Sequence, residues 1–110
     1  MRVWRGDARF GEPVLVVEGD KVHVGPTRWN DVVLKLDGLK VRRGDSWMGE
    51  VIATLDGVRV REGASRWGDV IATLDGDKVR AGDSRWSEVL AIAEGGGMTG
   101  AAAAAFLLLG

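Results

Sequence analysis

The chain has 110 residues, of which 45% are hydrophobic and 28% charged, with 15 basic groups against 16 acidic ones. That size suits one domain, and the charge balance excludes a general attraction to nucleic acid or anionic lipid. Cysteine is absent, which removes disulfides, thiol catalysis and thiolate metal sites, and the single histidine, His23, cannot build a multi-histidine metal site.

The first residues lack a basic stretch followed by an apolar run, so no signal peptide is read. A location in the cytoplasm, or on the cytoplasmic face of a membrane, is expected. From Met1 onward the chain repeats every nineteen residues: MRVWRGDARFGEPVLVVEG, DKVHVGPTRWNDVVLKLDG, LKVRRGDSWMGEVIATLDG, VRVREGASRWGDVIATLDG and DKVRAGDSRWSEVLAIAEG. A fixed period dictates fold class before any local reading. Each copy closes on an acid and a glycine, as in Asp37-Gly38, Asp56-Gly57 and Asp75-Gly76. An Asp-Gly pair between apolar runs marks a tight hairpin turn. Taking Asp75 and Gly76 as the two loop residues pairs Leu74 with Asp77 and Ala72 with Val79. One face then carries Val70, Ala72, Leu74 and Val79, the period-two pattern of a half-buried strand. The other face carries Lys78, Arg80 and Thr73, but Val33, Ile52, Ile71 and Leu90 also fall there and need cover.

Between hairpins runs a loop from Gly6, Gly25, Gly44, Gly63 or Gly82 to the acid at Glu12, Asp31, Glu50, Asp69 or Glu88. Its large side chain recurs as Phe10, Trp29, Met48, Trp67 and Trp86, preceded by arginine in four copies: Arg9, Arg28, Arg66 and Arg85. The first copy opens with a strand at Arg2 to Arg5, and the fifth lacks a return strand. Closure of Val3 opposite Ala91 therefore completes a ring without exposed edges. Nineteen residues are too few for a propeller blade. The expected fold is all-β: a closed ring or shallow barrel of five hairpins around a pseudo-fivefold axis, spanning residues 1–95.

The strand Lys/Arg-Val, the loop Gly82-Asp83-Ser84-Arg85-Trp86, the strand Val70-Ile71-Ala72 and the Asp-Gly turn together resemble the β-flower proteins. These are small, mostly uncharacterised bacterial proteins with hairpin petals around a shallow barrel. The resemblance covers residues 1–95 and implies an architecture rather than a chemistry. Its likeness to lipid-linked shallow barrels, and the apolar tails of some members, imply a connection to membranes.

Residues 96–110 hold no charge, and Ala101 to Leu109 favours helix. Met98 to Leu109 is twelve residues, about 18 Å as a helix against a hydrocarbon core of roughly 30 Å. The tail cannot cross a bilayer as it stands. Three fates are open to it: packing on or inside the barrel, inserting in a membrane through Phe106, Leu107, Leu108 and Leu109, or remaining unfolded.

No catalytic residue, metal site or cofactor is assigned. Ser46, Ser65 and Ser84 recur without a histidine partner, the turn acids are explained by turn chemistry, and Arg5-Gly6-Asp7 and Arg43-Gly44-Asp45 are the repeat's own strand ends. His23 occupies the position of Arg42, Arg61 and Arg80 and reads as a surface strand residue. The arginine–tryptophan pairs Arg28-Trp29, Arg66-Trp67 and Arg85-Trp86 carry the functional promise. Either Trp67 packs over Ile71, or the pairs form a rim for a sugar, a lipid headgroup or an acidic peptide. The expected function is a non-enzymatic binding or scaffolding module, membrane-associated through its tail. The alternative is a soluble, lectin-like ring with the tail packed in the barrel. A lipid membrane or a multivalent ligand is the expected partner, and no nucleic acid.

Overall fold

The computed structural model describes residues 1–109. Ten strands, β1 (Arg2–Arg5), β2 (Leu15–Glu18), β3 (Lys21–Val24), β4 (Val32–Asp37), β5 (Lys40–Arg43), β6 (Val51–Asp56), β7 (Arg59–Glu62), β8 (Val70–Asp75), β9 (Lys78–Ala81) and β10 (Val89–Ala93), precede helix α1 (Gly97–Leu109). Each strand pairs antiparallel with its neighbours in sequence, and β1 closes on β10. The expected ring of five hairpins is therefore a closed barrel, with no free edge to recruit another chain.

The turn chemistry is one residue out from the expected register. Asp75 pairs with Lys78 and Leu74 with Val79, so the loop residues are Gly76 and Asp77. Gly76 has φ +61°, and among the described residues none other than glycine has a positive φ. That is the pattern of a type II′ turn, with glycine first, rather than the type I′ turn implied by Asp-Gly at the centre. Both strands shift together, so the inward face is unchanged. Closure follows the same rule, with Val3 opposite Ala93 rather than Ala91.

Repetition builds the barrel lining in tiers of five. Val3, Val22, Val41, Val60 and Val79 form one tier, none more than 1% exposed. Leu15, Leu34, Ala53, Ala72 and Ala91 form the next, and Val17, Leu36, Leu55, Leu74 and Ala93 the third, all buried. The last three repeats place alanine where the first two place leucine. Helix α1 packs chiefly against β10, β6 and β8, the strands that carry those alanines. Small wall residues thus make room for the helix on one side, and leucines fill the other.

The apolar tail is inside the barrel. Gly95, Gly96 and Gly97 all have positive φ and turn the chain from β10 inward. At Gly96 a Cβ would stand 2.8 Å from the Gly76 carbonyl oxygen, so only glycine allows this approach. Ala101 to Ala105 are each 0% exposed. Thirteen residues of helix are about 20 Å long, close to the 19 Å thickness of the molecule. Phe106, Leu107 and Leu109 pack against the core, and Leu108 alone is largely exposed. Phe106, Leu107, Leu108 and Leu109, the residues expected to touch a membrane, form the last turn of a helix whose preceding alanines share one core with the ring. Among the described residues no helix is long and apolar enough to cross a membrane.

Four β-bulges explain the apolar residues that the alternating pattern left outside. Pairing jumps between Val22/His23, Val41/Arg42, Val60/Arg61 and Val89/Ala91, leaving Val33, Ile52, Ile71 and Leu90 as the extra residues. A bulge breaks the strict alternation of faces. Ile52 is buried in the core, and Val33 and Ile71 pack against it.

Candidate functional site

The loops between petals are held by three repeated contacts. First, the amide of each loop-opening glycine donates to a carbonyl on a neighbouring petal, at a bulge in four cases, as in Gly44 to Val33 at 2.8 Å and Gly82 to Ile71 at 2.9 Å, and at Val14 for Gly25. Second, the outward strand residue grips a loop carbonyl seven residues on. Arg42 Nη1 donates to Gly49 O at 2.8 Å, Arg61 Nη1 to Gly68 O at 2.9 Å and Arg80 Nη1 to Ser87 O at 2.9 Å. In the first two petals Trp4 Nε1 donates to Gly11 O at 3.1 Å, and His23 Nδ1 lies 2.8 Å from Asn30 O. A carbonyl only accepts, so this contact requires the Nδ1–H form of His23. Arginine, tryptophan and histidine serve one purpose here, since each places an N–H at the same reach. His23 is 8% exposed, a buried clamp rather than a surface residue.

Third, a hydroxyl two residues before the loop apex accepts from the apex amide: Thr27 for Trp29, Ser46 for Met48, Ser65 for Trp67 and Ser84 for Trp86, at 3.0–3.2 Å. The recurring serines are turn formers.

These anchors fold each loop back along the outer wall. Arg28 Nη1 reaches Glu18 Oε1 at 3.5 Å and Arg66 Nη2 reaches Asp56 Oδ1 at 3.4 Å, both acids standing just before a turn. Ten strands spaced by about 4.8 Å and tilted by about 40° close at roughly 20 Å across. The molecule measures 35 × 34 × 19 Å, so loops and turns extend well beyond that wall.

At their apices Phe10, Trp29, Met48, Trp67 and Trp86 are 82–94% exposed. Trp67 therefore does not cover Ile71, which the bulge has already turned toward the core. The tryptophan that is buried is Trp4, at 7%. Arg28 lies over the Trp29 ring at 4.8 Å, Arg66 turns away to Asp56, and Arg85 makes no ion pair among the described residues. Each arginine–tryptophan pair belongs to its own petal. Trp29 borders a cleft with Glu18, Lys21 and His23, and Trp67 borders one with Asp56, Arg61 and Arg66. The third petal differs: Lys35 Nζ sits 4.3 Å from the Trp47 ring, so Trp47 packs on the wall while Met48 takes the apex. The clamp residues were missed from sequence, where the only signal was a donor-bearing side chain seven residues before a loop carbonyl.

Asp56 joins the clamp to the apex. Arg61 Nε donates to its Oδ2 at 3.0 Å, and this hydrogen bond, reinforced by the charges of Arg66 and Arg61, outweighs desolvation and holds the carboxyl below its ordinary range. Glu94 is lowered likewise, first by the Arg2 backbone amide and then by the Arg2 and Arg9 side chains. A carboxylate with a depressed folded-state pKa contributes stability that is complete above its unfolded pKa and vanishes as pH falls through the folded one. Thermal melts should accordingly be flat above about pH 5 and decline below about pH 4, with a shallower acid limb in Asp56→Asn. An acid limb identical in that variant would mean that Asp56 contributes nothing.

Among the described residues no group of three or more His, Cys, Asp or Glu comes together as a metal site. A family model described as "6-fold beta flower protein" matches residues 3–108, a span that includes the helix. Five petals are built here where that description names six. No curated protein and no solved structure matches the chain.

Proposed function

The chain belongs to the beta flower family, and from that premise we propose that it is a non-enzymatic binding ring that engages a multivalent ligand through its loop apices. The observation that carries this reading is the recurrence of an almost fully exposed apolar side chain, on a hydrogen-bonded loop, at the apex of every petal. Isolated exposed apolar residues are ordinary on protein surfaces. Five at equivalent positions, each on a loop pinned by a clamp and its loop-opening glycine, are pre-organised, so little entropy is lost on contact. Tryptophan faces flanked by arginine and a carboxylate suit a saccharide: the ring's C–H face stacks on the indole, and hydroxyls bond the charged groups. Individually weak sites around a ring gain strength only against a ligand displayed in many copies.

Membrane association is the second reading, favoured by the exposed Leu108 at the helix end and by the suitability of Trp–Arg pairs for a bilayer interface. The burial of Ala101 to Ala105 makes the tail a weak anchor in this reading and leaves the apices to do the work. A glycan array and liposome flotation, each run with the native chain and with Trp29, Trp67 and Trp86 all changed to Ala, separate the two. Capture on saccharides that the triple variant loses supports the leading reading, and flotation alone supports the second. Capture unchanged in the triple variant would sink both. Because its side chain touches little, Trp67→Ala should shift stability by less than about 0.5 kcal/mol, read from denaturant midpoints.

A further inference from the structure

Each gap between neighbouring petals repeats one charge arrangement. The position that opens the strand after each turn is always basic: Arg2, Lys21, Lys40, Arg59 and Lys78. Across the gap from it stands a loop position occupied in turn by Pro26, Asp45, Ala64, Asp83 and Asp7. Wherever that position is aspartate, the pair forms: Lys21 with Asp45 at 3.8 Å, Arg59 with Asp83 at 2.9 Å and Lys78 with Asp7 at 3.6 Å. Opposite Pro26, Arg2 turns instead to Glu94 at 3.4 Å. Only Lys40, opposite Ala64, makes no ion pair among the described residues.

That gap is open as well as unbalanced. A cleft of about 480 Å³ is lined by Leu39, Lys40, Thr54, Asp56, Ala64 and Arg66, among others. In the preceding gap the corresponding four positions hold Asp20, Lys21, Lys35 and Asp45, whose charges cancel, and Lys35 bonds both acids at 3.3 and 3.7 Å. Nineteen residues on, they hold Leu39, Lys40, Thr54 and Ala64, leaving one positive charge. Asp56 does not neutralise it, because that carboxylate is already engaged by Arg61 and Arg66. The Arg66 contact is a single one at 3.4 Å, and a guanidinium carries further N–H donors for a second acceptor. Leu39, 60% exposed, supplies an apolar shoulder beside the cation.

We propose that the gap between Lys40 and Ala64 is a docking site for an aspartate or glutamate side chain on a partner polypeptide. The incoming carboxylate takes the place that Asp45 and Asp83 take in the sibling gaps, bonding Lys40 and Arg66, and the residue beside it covers Leu39. The molecule supplies its own template for the ligand, an aspartate on a tight Gly-Asp-Ser turn. This site shares Arg66 and Asp56 with the Trp67 cleft but needs no indole, and one bound acidic side chain satisfies it.

The test is a titration of amide chemical shifts in the full chain with the probe acetyl-Gly-Asp-Ser-amide. The expected result is saturable shifts at Leu39, Lys40 and Ala64 to Arg66 with a millimolar dissociation constant, and none at Lys21 or Lys78. Ala64→Asp fills the site from within and should weaken the probe at least tenfold, and Lys40→Gln should weaken it several-fold. Both changes are at exposed positions, and matching melts would verify that both variants are folded. Absence of shifts at this gap, equal shifts at the sibling gaps, or undiminished binding to Ala64→Asp would overturn the assignment. Equal shifts from inorganic phosphate or from the asparagine analogue of the probe would overturn it too, since the site would then not select a carboxylate side chain.

Discussion

Ending the chain at Gly95 should abolish cooperative folding of the ring. The five alanines from Ala101 to Ala105 are completely buried, and the adjoining strands carry Ala53, Ala72 and Ala91 in the tier where the opposite wall carries Leu15 and Leu34. Without α1 that side of the barrel is a void lined by Ala53, Ala72, Ala91 and Ala93. Strands alone cannot collapse to fill it, because hydrogen bonding to both neighbours fixes the barrel's circumference. The cost combines lost apolar burial with an open cavity, on the order of the whole stability of a small domain, about 5–15 kcal/mol. Circular dichroism melts and amide dispersion of residues 1–95 against the full chain read this directly. A sharp melt unchanged by the cut would show that the strands make a sufficient core and that the helix is an appendage.

A single charge in the helix should be almost as damaging. Ala103 is 0% exposed and the barrel lining offers it no polar partner, so Ala103→Asp buries a carboxylate or forces it to be protonated. A loss of at least about 3–5 kcal/mol is expected, the range for an uncompensated buried charge. Leu108→Asp, on the same helix at a position 43% exposed, should change stability by less than about 1 kcal/mol. Comparing the two denaturation midpoints separates burial from any effect of helix propensity. Equal losses at both positions would contradict the placement of the helix within the barrel.

The family's description names six petals, and five are present here. The 19-residue repeat is retained through Gly95, and the helix then occupies the lumen. The matched span runs into the helix, to residue 108.

Hairpin number, strand positions, ring closure and the inward face were legible in the sequence because each depends on local period and on exact repetition. The precise turn was not. Asp-Gly reads as the centre of a type I′ loop, but one residue of shift on both strands preserves the buried face and brings Asp56 and Asp75 into the strand pairs with Arg59 and Lys78. The bulges at Val33, Ile52, Ile71 and Leu90 were visible only as unexplained apolar residues on the outer face. For the candidate site, the sequence singled out the arginine–tryptophan pairs but left open whether the indoles were core or surface. Trp4 and Trp67 both lie in this chain as tryptophans near an arginine, yet one is 7% exposed and the other 93%. Their difference is strand against loop apex, together with a clamp made between residues seven apart.

The amino-acid sequence by itself determined five hairpins, a closed ring, a charge-free helical tail and a perimeter of equivalent loops, since all of these follow from periodicity and composition. Only the tertiary structure decided that the tail fills the barrel, that the apical tryptophans face outward, and that Lys40 alone lacks its acid. Each of these depends on which repeats become neighbours around the ring and on whether alanines at Ala53, Ala72 and Ala91 leave space along one wall. Closure brings the ends of the chain together and fixes the volume within, and those are properties of the whole circle rather than of any one copy.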